Sequence, residues 1–324
     1  MKNNSLKEIA LKLDEAKSVM LFPHINLDGD ALGSCAALCK ALRKNGKNAW
    51  ILLEDDIPAN LRFLDKGYCT WDVDVIENPD VCMCVDCGDL GRFPKRAEKF
   101  KTGKTTICLD HHRTTEFFCE YNYVDSIEAA TGQIMYDLLM AMEVEPDKEI
   151  AEAIFAAITT DTGDFQYSNT QKKSHLIVAE LYDWGADFNM VSVEIYENVR
   201  MEKTLLKSAA METIKVIGDG LGAIVYITQD MLQKTGATMD ESEGIAQDLR
   251  AIAGVEFSAL VKEYGPETCR VSLRAKRRGD VAVIAQNLGG GGHTKAAGCT
   301  INAPIMEAVA AVENEILKAI KELN

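Results

Sequence analysis

The first half of the chain alternates short apolar runs with amphipathic segments, and this alternation constrains the fold more than any other feature. The apolar runs SVMLFPH, NAWILLE, DVCMCVD and TTICLD each have the length of a single strand. Apolar residues at helical spacing occur in other segments, among them GDALGSCAALCKALRKNG, AATGQIMYDLLMAM, KEIAEAIFAAITTD and KKSHLIVAELYDWG. Strands that alternate with helices form parallel sheets covered on both faces, and ligands bind beyond the carboxyl ends of their strands.

A second pattern of strands and helices follows a polar, helical stretch that has no strand signal. It includes LGAIVYIT, VEFSALVKEY, TCRVSLRAK and AAGCTIN, and it closes with a helix from about Pro304. We therefore predict an α/β protein with three parts. These are an N-terminal parallel-sheet domain over 1–190, a helical connector over 191–215, and a smaller α/β domain over 216–324.

Composition narrows the class of protein and of ligand. The 324 residues contain no apolar run near the ~20 residues of a membrane span, and the N-terminus lacks the apolar core of a signal peptide, so we expect a cytoplasmic protein without membrane contact. The ten cysteines stand in apolar segments without a zinc-binding spacing, which favours reduced core thiols over disulfides or zinc. A net charge of −15 disfavours long nucleic acid.

One basic segment stands out on this acidic chain. Between Gly265 and Thr300 there are six basic residues and two acids, and the basic ones are Arg270, Arg274, Lys276, Arg277, Arg278 and Lys295. A small basic patch suits a small anionic ligand better than a long polymer.

Acids and histidines follow the apolar runs at the point where each run ends. His24, Asp28 and Asp30 follow the first run, Asp86 follows DVCMCV, and Asp110, His111 and His112 follow TTICL, while Asp161 ends the helix KEIAEAIFAAITTD. Carboxylates and imidazoles without thiolates favour Mn²⁺ or Mg²⁺ over zinc. Six ligands suit two cations about 3.5–4 Å apart that share a bridging carboxylate. The alternatives are that Asp30 merely caps a helix starting at Ala31, that Asp161 belongs to the last turn of its helix, and that the histidines are ordinary loop residues.

The segment GGGGHTKAAG, Gly289–Gly298, carries a second signal. Its glycines would let backbone N–H groups approach a phosphate, and His293 and Lys295 add polar groups. In CRVSLRAK, the polar residues Arg270, Ser272, Arg274 and Lys276 alternate with apolar ones, so they share one face of a strand. We interpret this face as a phosphate-binding wall; a flexible turn beside a solvated strand is the alternative.

These motifs resemble those of a known family. HINLDGDALGS, VDCGD, LDHH and TDTGDF are similar to the four motifs of the DHH phosphoesterase superfamily, and SLRA and GGGHTKAAG resemble its DHH-associated C-terminal domain. The resemblance covers nearly the whole chain and is closest to bifunctional oligoribonucleases and pAp phosphatases. It implies hydrolysis of short oligoribonucleotides, including linear dinucleotides, to mononucleotides and of pAp to AMP, with Mn²⁺, or alternatively Mg²⁺, as the cation. A homodimer is left open.

The resemblance also implies a role for each site residue. The metal ligands would be His24, Asp28, Asp30, Asp86, His111 and Asp161, with Asp86 bridging. Asp110 would orient its neighbours and His112 would face the substrate phosphate. Substrate contacts in the second domain would come from Ser272, Arg274, Gly290, Gly291, Gly292, His293 and Lys295.

The chain departs from the family pattern at a few positions. Leu27 stands where proline is common, Asp164 and Gln166 stand in a Ser-Phe-Arg position, and Gln133 replaces a glutamate. None of these is an implied ligand, but the missing arginine at 166 leaves phosphate or base preference open. Two other functions remain in view: a manganese-dependent inorganic pyrophosphatase, which shares the first-domain motifs, and a nucleotide-binding sensor without turnover.

Overall fold

The structure is a computed structural model that describes residues 3–323. These residues form two compact units that divide between Asn198 and Val199. The division falls inside the segment 191–215 that is predicted as a connector, and the helix that follows the division belongs to the second unit. The connector limits therefore stay a prediction.

The first unit is built on a six-stranded sheet in which all neighbouring strands are parallel, as predicted. Its strands are β1 (Ser18–Phe22), β2 (Asn48–Leu52), β3 (Cys69–Thr70), β4 (Val81–Val85), β5 (Thr105–Asp110) and β6 (Tyr121–Val124). Their order across the sheet is β3-β2-β1-β4-β5-β6. The short outer strands β3 and β6 are not among the predicted strands.

Helices cover both faces of this sheet. They are α1 (Leu6–Glu15), α2 (Gly29–Lys44), α3 (Ala97–Phe100), α4 (Thr131–Ala141), α5 (Lys148–Asp161), α6 (Lys172–Asp183) and α7 (Phe188–Ser192), which continues into one π-helical turn, Val193–Glu197. Leu38 of α2 packs in the core on one face, and Phe100 of α3 packs in the core on the other. Because right-handed crossovers lead from β1 and from β4 in opposite directions along the sheet, their helices must lie on opposite faces. The strand order thus reverses between β1 and β4, which opens a crevice at their carboxyl ends.

A glycine sets the distance between α2 and α5. A Cβ atom added at Gly33 of α2 would lie 2.5 Å from the carbonyl oxygen of Ala153 and 3.1 Å from the Cβ of Ala157, both in α5. Only the missing side chain therefore allows these helices to pack this closely. The contact also fixes the end of α5, where Asp161 lies.

The second unit has a six-stranded mixed sheet in the order β11-β12-β10-β9-β8-β7. The β8 and β9 strands are parallel, and the other neighbouring pairs are antiparallel. Its elements are α8 (Met201–Glu212), β7 (Lys215–Ile217), β8 (Gly222–Ile227), α9 (Gln229–Thr235), α10 (Ile245–Ala251), β9 (Phe257–Gly265), β10 (Thr268–Ala275), α11 (Val281–Asn287), β11 (Gly291–His293), β12 (Ala296–Ile301) and α12 (Ile305–Glu322).

Two separate cores cover the faces of this second sheet. Leu206 of α8 and Ile245 of α10 pack on one face, whereas Ile284 of α11 and Val312 of α12 pack on the other. All ten cysteines of the chain are free thiols and all but Cys69 are buried, in agreement with the predicted core thiols. Within residues 3–323, no helix has the length and apolar character needed to cross a membrane.

We expect Gly33→Ala to lower the free energy of unfolding by about 1–3 kcal/mol, because the added methyl group must push α2 away from α5. Gly265→Ala is the control, since a Cβ atom there meets no atom within 4 Å. Urea denaturation of both variants checks the prediction. A Gly33→Ala variant as stable as the control would show that the two helices can separate without loss.

Candidate metal centre

The six predicted ligands converge at the carboxyl edge of the first sheet. Loops after β1, β4 and β5 deliver His24, Asp86 and His111, the start of α2 delivers two aspartates, and the end of α5 delivers another. The donors form three overlapping groups, and the donor atoms of each group lie within 4.8 Å of one another: His24, Asp28 and Asp86; Asp30, His111 and Asp161; and Asp86, His111 and His112. The structure therefore brings together all six.

Asp86 belongs to the first group and also lies close to His111 of the second. Its Oδ2 is 3.5 Å from His24 Nε2, and its Oδ1 is 3.7 Å from His111 Nε2. One oxygen thus faces each group, which is the geometry of a bridging carboxylate. Asp86 also has a left-handed backbone, with φ of +59°. Aspartate adopts this conformation more readily than most residues.

The first group combines His24 with Asp28. His24 Nε2 lies 3.3 Å from Asp28 Oδ2, and its Nδ1 lies 2.7 Å from the carbonyl oxygen of Ile25. A proton on Nδ1 satisfies that carbonyl and leaves the Nε2 lone pair for a cation. The other oxygen of Asp28 accepts from the Ala31 N–H at 3.0 Å, so Asp28 is the N-cap of α2.

Asp30 and His111 belong to the second group. Asp30 is 1% exposed and accepts from the Thr131 and Gly132 N–H groups, at 2.7 and 2.8 Å. The alternative that Asp30 caps α2 is therefore wrong, because Asp28 has that role and the amino end of α4 holds Asp30. His111 Nε2 lies 3.3 Å from Asp161 Oδ2 and 3.8 Å from Asp30 Oδ2. The Glu128 carbonyl, 3.1 Å from its Nδ1, orients the ring.

The sequence analysis assigned no role to two supporting residues, Thr131 and Gln133. The Thr131 hydroxyl donates to Asp86 Oδ1 at 2.8 Å. The side chain of Gln133 is fully buried, accepts from the Ala129 N–H at 3.2 Å and donates to Glu128 at 2.8 Å. Gln133 thus holds residues 128–129, and the carbonyl of Glu128 orients His111. An amide suits position 133 because it can both accept and donate a hydrogen bond there. The Thr-Gly pair that begins the apolar helix α4 was the available signal.

Asp110 organises the turn after β5 and lies outside the three donor groups. It is fully buried and accepts from the His111 N–H at 2.8 Å, from His112 Nδ1 at 2.8 Å and from the Thr115 hydroxyl. The bond from Asp110 raises the pKa of His112 to about 9, so this imidazole is a cation at neutral pH. Its side chain is 45% exposed, which makes it available to an anion.

Four of the predicted ligands at this edge are carboxylates, and the pKa values of Asp30 and Asp161 show the cost of burying them together. Burial, together with the charges of Asp86 and Asp161, raises the pKa of Asp30 well above its ordinary value. Burial likewise raises the pKa of Asp161 to about 6. Burial alone would lower the pKa of His24, but its bonds to Asp28 and Asp86 raise it to about 10. The donor set thus holds protons that divalent cations would displace, and its residues fit such cations.

A left-handed turn follows Asp161. Gly163, Asp164 and Phe165 have φ values of +56°, +55° and +61°. A Cβ atom at Gly163 would lie 2.3 Å from the Tyr167 ring. Such strain persists only where surrounding contacts impose it, and it is common beside functional sites. Gln166, the departure from the family pattern, is exposed.

The second unit gathers its predicted residues on one sheet face. Strand register places Arg274, Ala296 and His293 in one row across β10, β12 and β11. The adjacent row contains Ser272, Gly298 and Gly291. Directly opposite residues point to the same face, so Arg274 and His293 flank a floor of small residues. At two strand spacings they stand about 10 Å apart, wide enough for a phosphate or a base.

The remaining residues of the glycine segment have structural roles. A Cβ atom at Gly290 would lie 2.2 Å from the Gly298 carbonyl oxygen, and one at Gly292 would lie 2.5 Å from the Cα of Ala297. These glycines therefore permit the close pairing of β11 with β12. The ammonium group of Lys295 donates to the carbonyls of Arg277 and Gly279, at 2.7 and 2.9 Å. Their assignment to substrate binding stays a prediction.

Comparisons with known proteins agree with this architecture. The family model "DHH family, N-terminal domain" matches residues 18–158, and the model "DHHA1 domain" matches residues 221–323. A Thermus thermophilus protein named bifunctional oligoribonuclease and PAP phosphatase NrnA is 28% identical, over 94% of this chain and 89% of its own length.

Two crystal structures share the fold. An exopolyphosphatase-related protein from Bacteroides fragilis has a TM-score of 0.90 and 24% identity, over 98% of this chain and 97% of its own. The RecJ protein from Thermus thermophilus in complex with Mn²⁺ has a TM-score of 0.51 and 15% identity, over 99% of this chain and 55% of its own.

The fold and the clustered donors define an α/β protein with a carboxylate and imidazole site of the kind that holds divalent cations. The two matched domains identify it further: the chain belongs to the DHH family and carries a DHHA1 domain in its second unit. This family and its curated relatives indicate a hydrolytic phosphoesterase.

We expect Asp86→Asn to bind at most one cation per chain and to lose activity by roughly 100-fold or more. Asparagine keeps the shape and tolerates the left-handed backbone, so the loss reflects the missing charge. Metal analysis after equilibrium dialysis measures the stoichiometry. Asp80→Asn, at the opposite end of β4, is the control and should bind two cations. An Asp86→Asn protein that binds two cations with unchanged turnover would refute the bridging role.

We also expect the thermal stabilisation by Mg²⁺ or Mn²⁺ to grow as pH rises from 5 to 8. Because the pKa of Asp161 is raised to about 6, its ionisation destabilises the metal-free protein as pH rises through that value. To bind, the cation must displace a proton from Asp161 below about pH 6. It must also displace a proton from His24, whose pKa is raised to about 10, across the whole range from pH 5 to 8. Melting scans with cation and with EDTA test this. A stabilisation that is constant across the range would contradict it.

Proposed function

We propose that the chain is a two-cation phosphoesterase that hydrolyses short oligoribonucleotides to mononucleotides and pAp to AMP. Mn²⁺ is the proposed cation and Mg²⁺ the alternative. One observation carries the proposal: the two oxygens of Asp86 face two separate groups of donors, as a bridge between two cations requires. Two cations, when bound, would polarise the phosphate and activate the attacking water.

The residues around this site have the charges that phosphate hydrolysis needs. His112, held protonated by Asp110, presents a half-exposed cation to the phosphate. In that position it would stabilise negative charge that develops on the phosphate oxygens during the reaction. Asp110 acts through His112 and does not itself touch the substrate.

The second unit supplies the proposed contacts to the rest of the substrate. In the row of Arg274, Ala296 and His293, a cationic and a hydrogen-bonding side chain stand on either side of the small side chain of Ala296. Arginine suits a phosphate because its guanidinium donates two parallel hydrogen bonds. The adjacent Ser272 adds a hydroxyl on the same face. These groups are enough for a few phosphates.

The names of relatives support this choice of substrates. The Thermus thermophilus relative is named for oligoribonuclease and PAP phosphatase activity, and it aligns along nearly the whole of both chains. The ten free cysteines and the proposed RNA substrates fit a cytoplasmic location, which we also propose. Against an inorganic pyrophosphatase, the row beside the glycine segment favours a substrate with a nucleoside part. Against a sensor without turnover, all six predicted ligands are present, and their donor atoms lie close together.

We expect RNA of 2–5 nucleotides to be degraded at least tenfold faster than a 24-nucleotide RNA, since a chain with −15 net charge repels a long polyanion. Activity should respond only weakly to salt, because a short ligand releases few counterions. Time courses with labelled RNA of both lengths, run beside pAp and pyrophosphate with Mn²⁺, provide the measurement. Equal kcat/KM for the short and long RNA would overturn the length preference. Turnover of pyrophosphate alone would overturn the substrate class.

A further inference from the structure

We propose that Arg96 is a positioning residue for the cation group formed by His24, Asp28 and Asp86. The inference rests on the two-cation site of the proposed function. It assigns to a residue outside the metal centre the task of holding one of the two groups, and it predicts that the two groups depend on different supports.

Arg96 is a buried cation that joins three segments of the first unit. It is 2% exposed, and each nitrogen of its guanidinium donates to a different group. Nε donates to Glu54 Oε2 at 2.9 Å, Nη2 donates to the Pro23 carbonyl at 2.9 Å, and Nη1 donates to the Leu52 carbonyl. The side chain of Glu54 is also buried, at 6% exposure, so the pair is shielded from solvent.

The hydrogen bond to Pro23 connects Arg96 to a metal ligand. Pro23 directly precedes His24, and the N–H of Ile25, the residue after His24, donates to the Arg92 carbonyl at 2.8 Å. The segment 92–96 therefore holds the backbone on both sides of His24. The Ile25 carbonyl in turn orients the His24 ring through Nδ1, at 2.7 Å. The segment itself begins six residues after Asp86, another residue of the same donor group.

The chemistry of arginine explains why this residue type fits. A planar guanidinium can donate in several fixed directions at once, whereas a lysine ammonium is a point charge that cannot reach all three acceptors. Removing Arg96 would leave the Pro23 and Leu52 carbonyls without their donor and Glu54 without its counter-ion. The loop that carries His24 would then lose its fixed position.

The second donor group has other supports. Asp30 accepts from the amino end of α4, and the Glu128 carbonyl orients His111. None of the hydrogen bonds described for Asp30, His111 or Asp161 involves Arg96. A change at Arg96 should therefore weaken one cation site and spare the other, which a general loss of stability would not do.

The test measures Mn²⁺ binding by equilibrium dialysis and by the EPR signal of free Mn²⁺, together with circular dichroism of the folded protein. Arg96→Met with Glu54→Met removes both charges, so that no unpaired charge stays buried. Arg96→Lys is the second variant. Arg43→Met is the matched control, because Arg43 also donates to two backbone carbonyls, those of Ala49 and Gly67, near the amino end of β2.

We expect two Mn²⁺ per chain in the wild type and in Arg43→Met. In the double variant and in Arg96→Lys, one Mn²⁺ should bind with wild-type affinity and the other about 10- to 100-fold more weakly, as for other residues that orient metal ligands. If the double variant does not fold, Arg96→Lys decides alone. Two unchanged sites, or equal weakening of both, would overturn the role of Arg96. A wild type that binds fewer than two Mn²⁺ would instead count against the two-cation site.

Discussion

The repulsion among four carboxylates at one edge of a parallel sheet is the constraint on which the rest of the first unit depends. Burial makes this repulsion strong, and it raises the pKa of both Asp30 and Asp161. The protein offsets part of it with the imidazole of His24, the hydroxyl of Thr131 and the N–H groups at the start of α4. The remaining excess of negative charge would favour the binding of divalent cations.

The topology makes such crowding geometrically feasible. The strand order reverses between β1 and β4, so His24 and Asp86 emerge from neighbouring strands at the point where the crossover helices leave on opposite faces. Close packing at Gly33 then brings the end of α5 to the same edge. Residues from distant parts of the chain therefore meet because the sheet holds the strand ends side by side. Each loop needs to carry its residue only a short way beyond the end of its strand.

Sequence reasoning succeeded where the signal was local. Each predicted ligand follows an apolar run or ends an amphipathic helix, and a parallel sheet brings those ends together. It missed β3 and β6, which are too short to show a pattern. It also missed Thr131 and Arg96, because their roles come from contacts with residues far along the chain.

The glycine segment shows a different limit of sequence reasoning. A run of glycines indicates close approach of the backbone but not what approaches it. Gly290 and Gly292 prove to be needed for the pairing of β11 with β12, which a sequence cannot distinguish from contact with a phosphate. The register of β10, β12 and β11 made the row of Arg274 and His293 visible, and register depends on the folded sheet.

The order of the ligands along the chain has a consequence for biosynthesis. All six precede residue 162, and the predicted substrate contacts begin only at Ser272. At a synthesis rate of about 5–20 residues per second, residue 198, which ends the first unit, is added roughly 6–25 s before residue 324. Its crowded carboxylates can therefore take up cations while the second unit is still on the ribosome. During that interval the nascent protein would hold the metals that hydrolysis requires without the surface that selects a substrate.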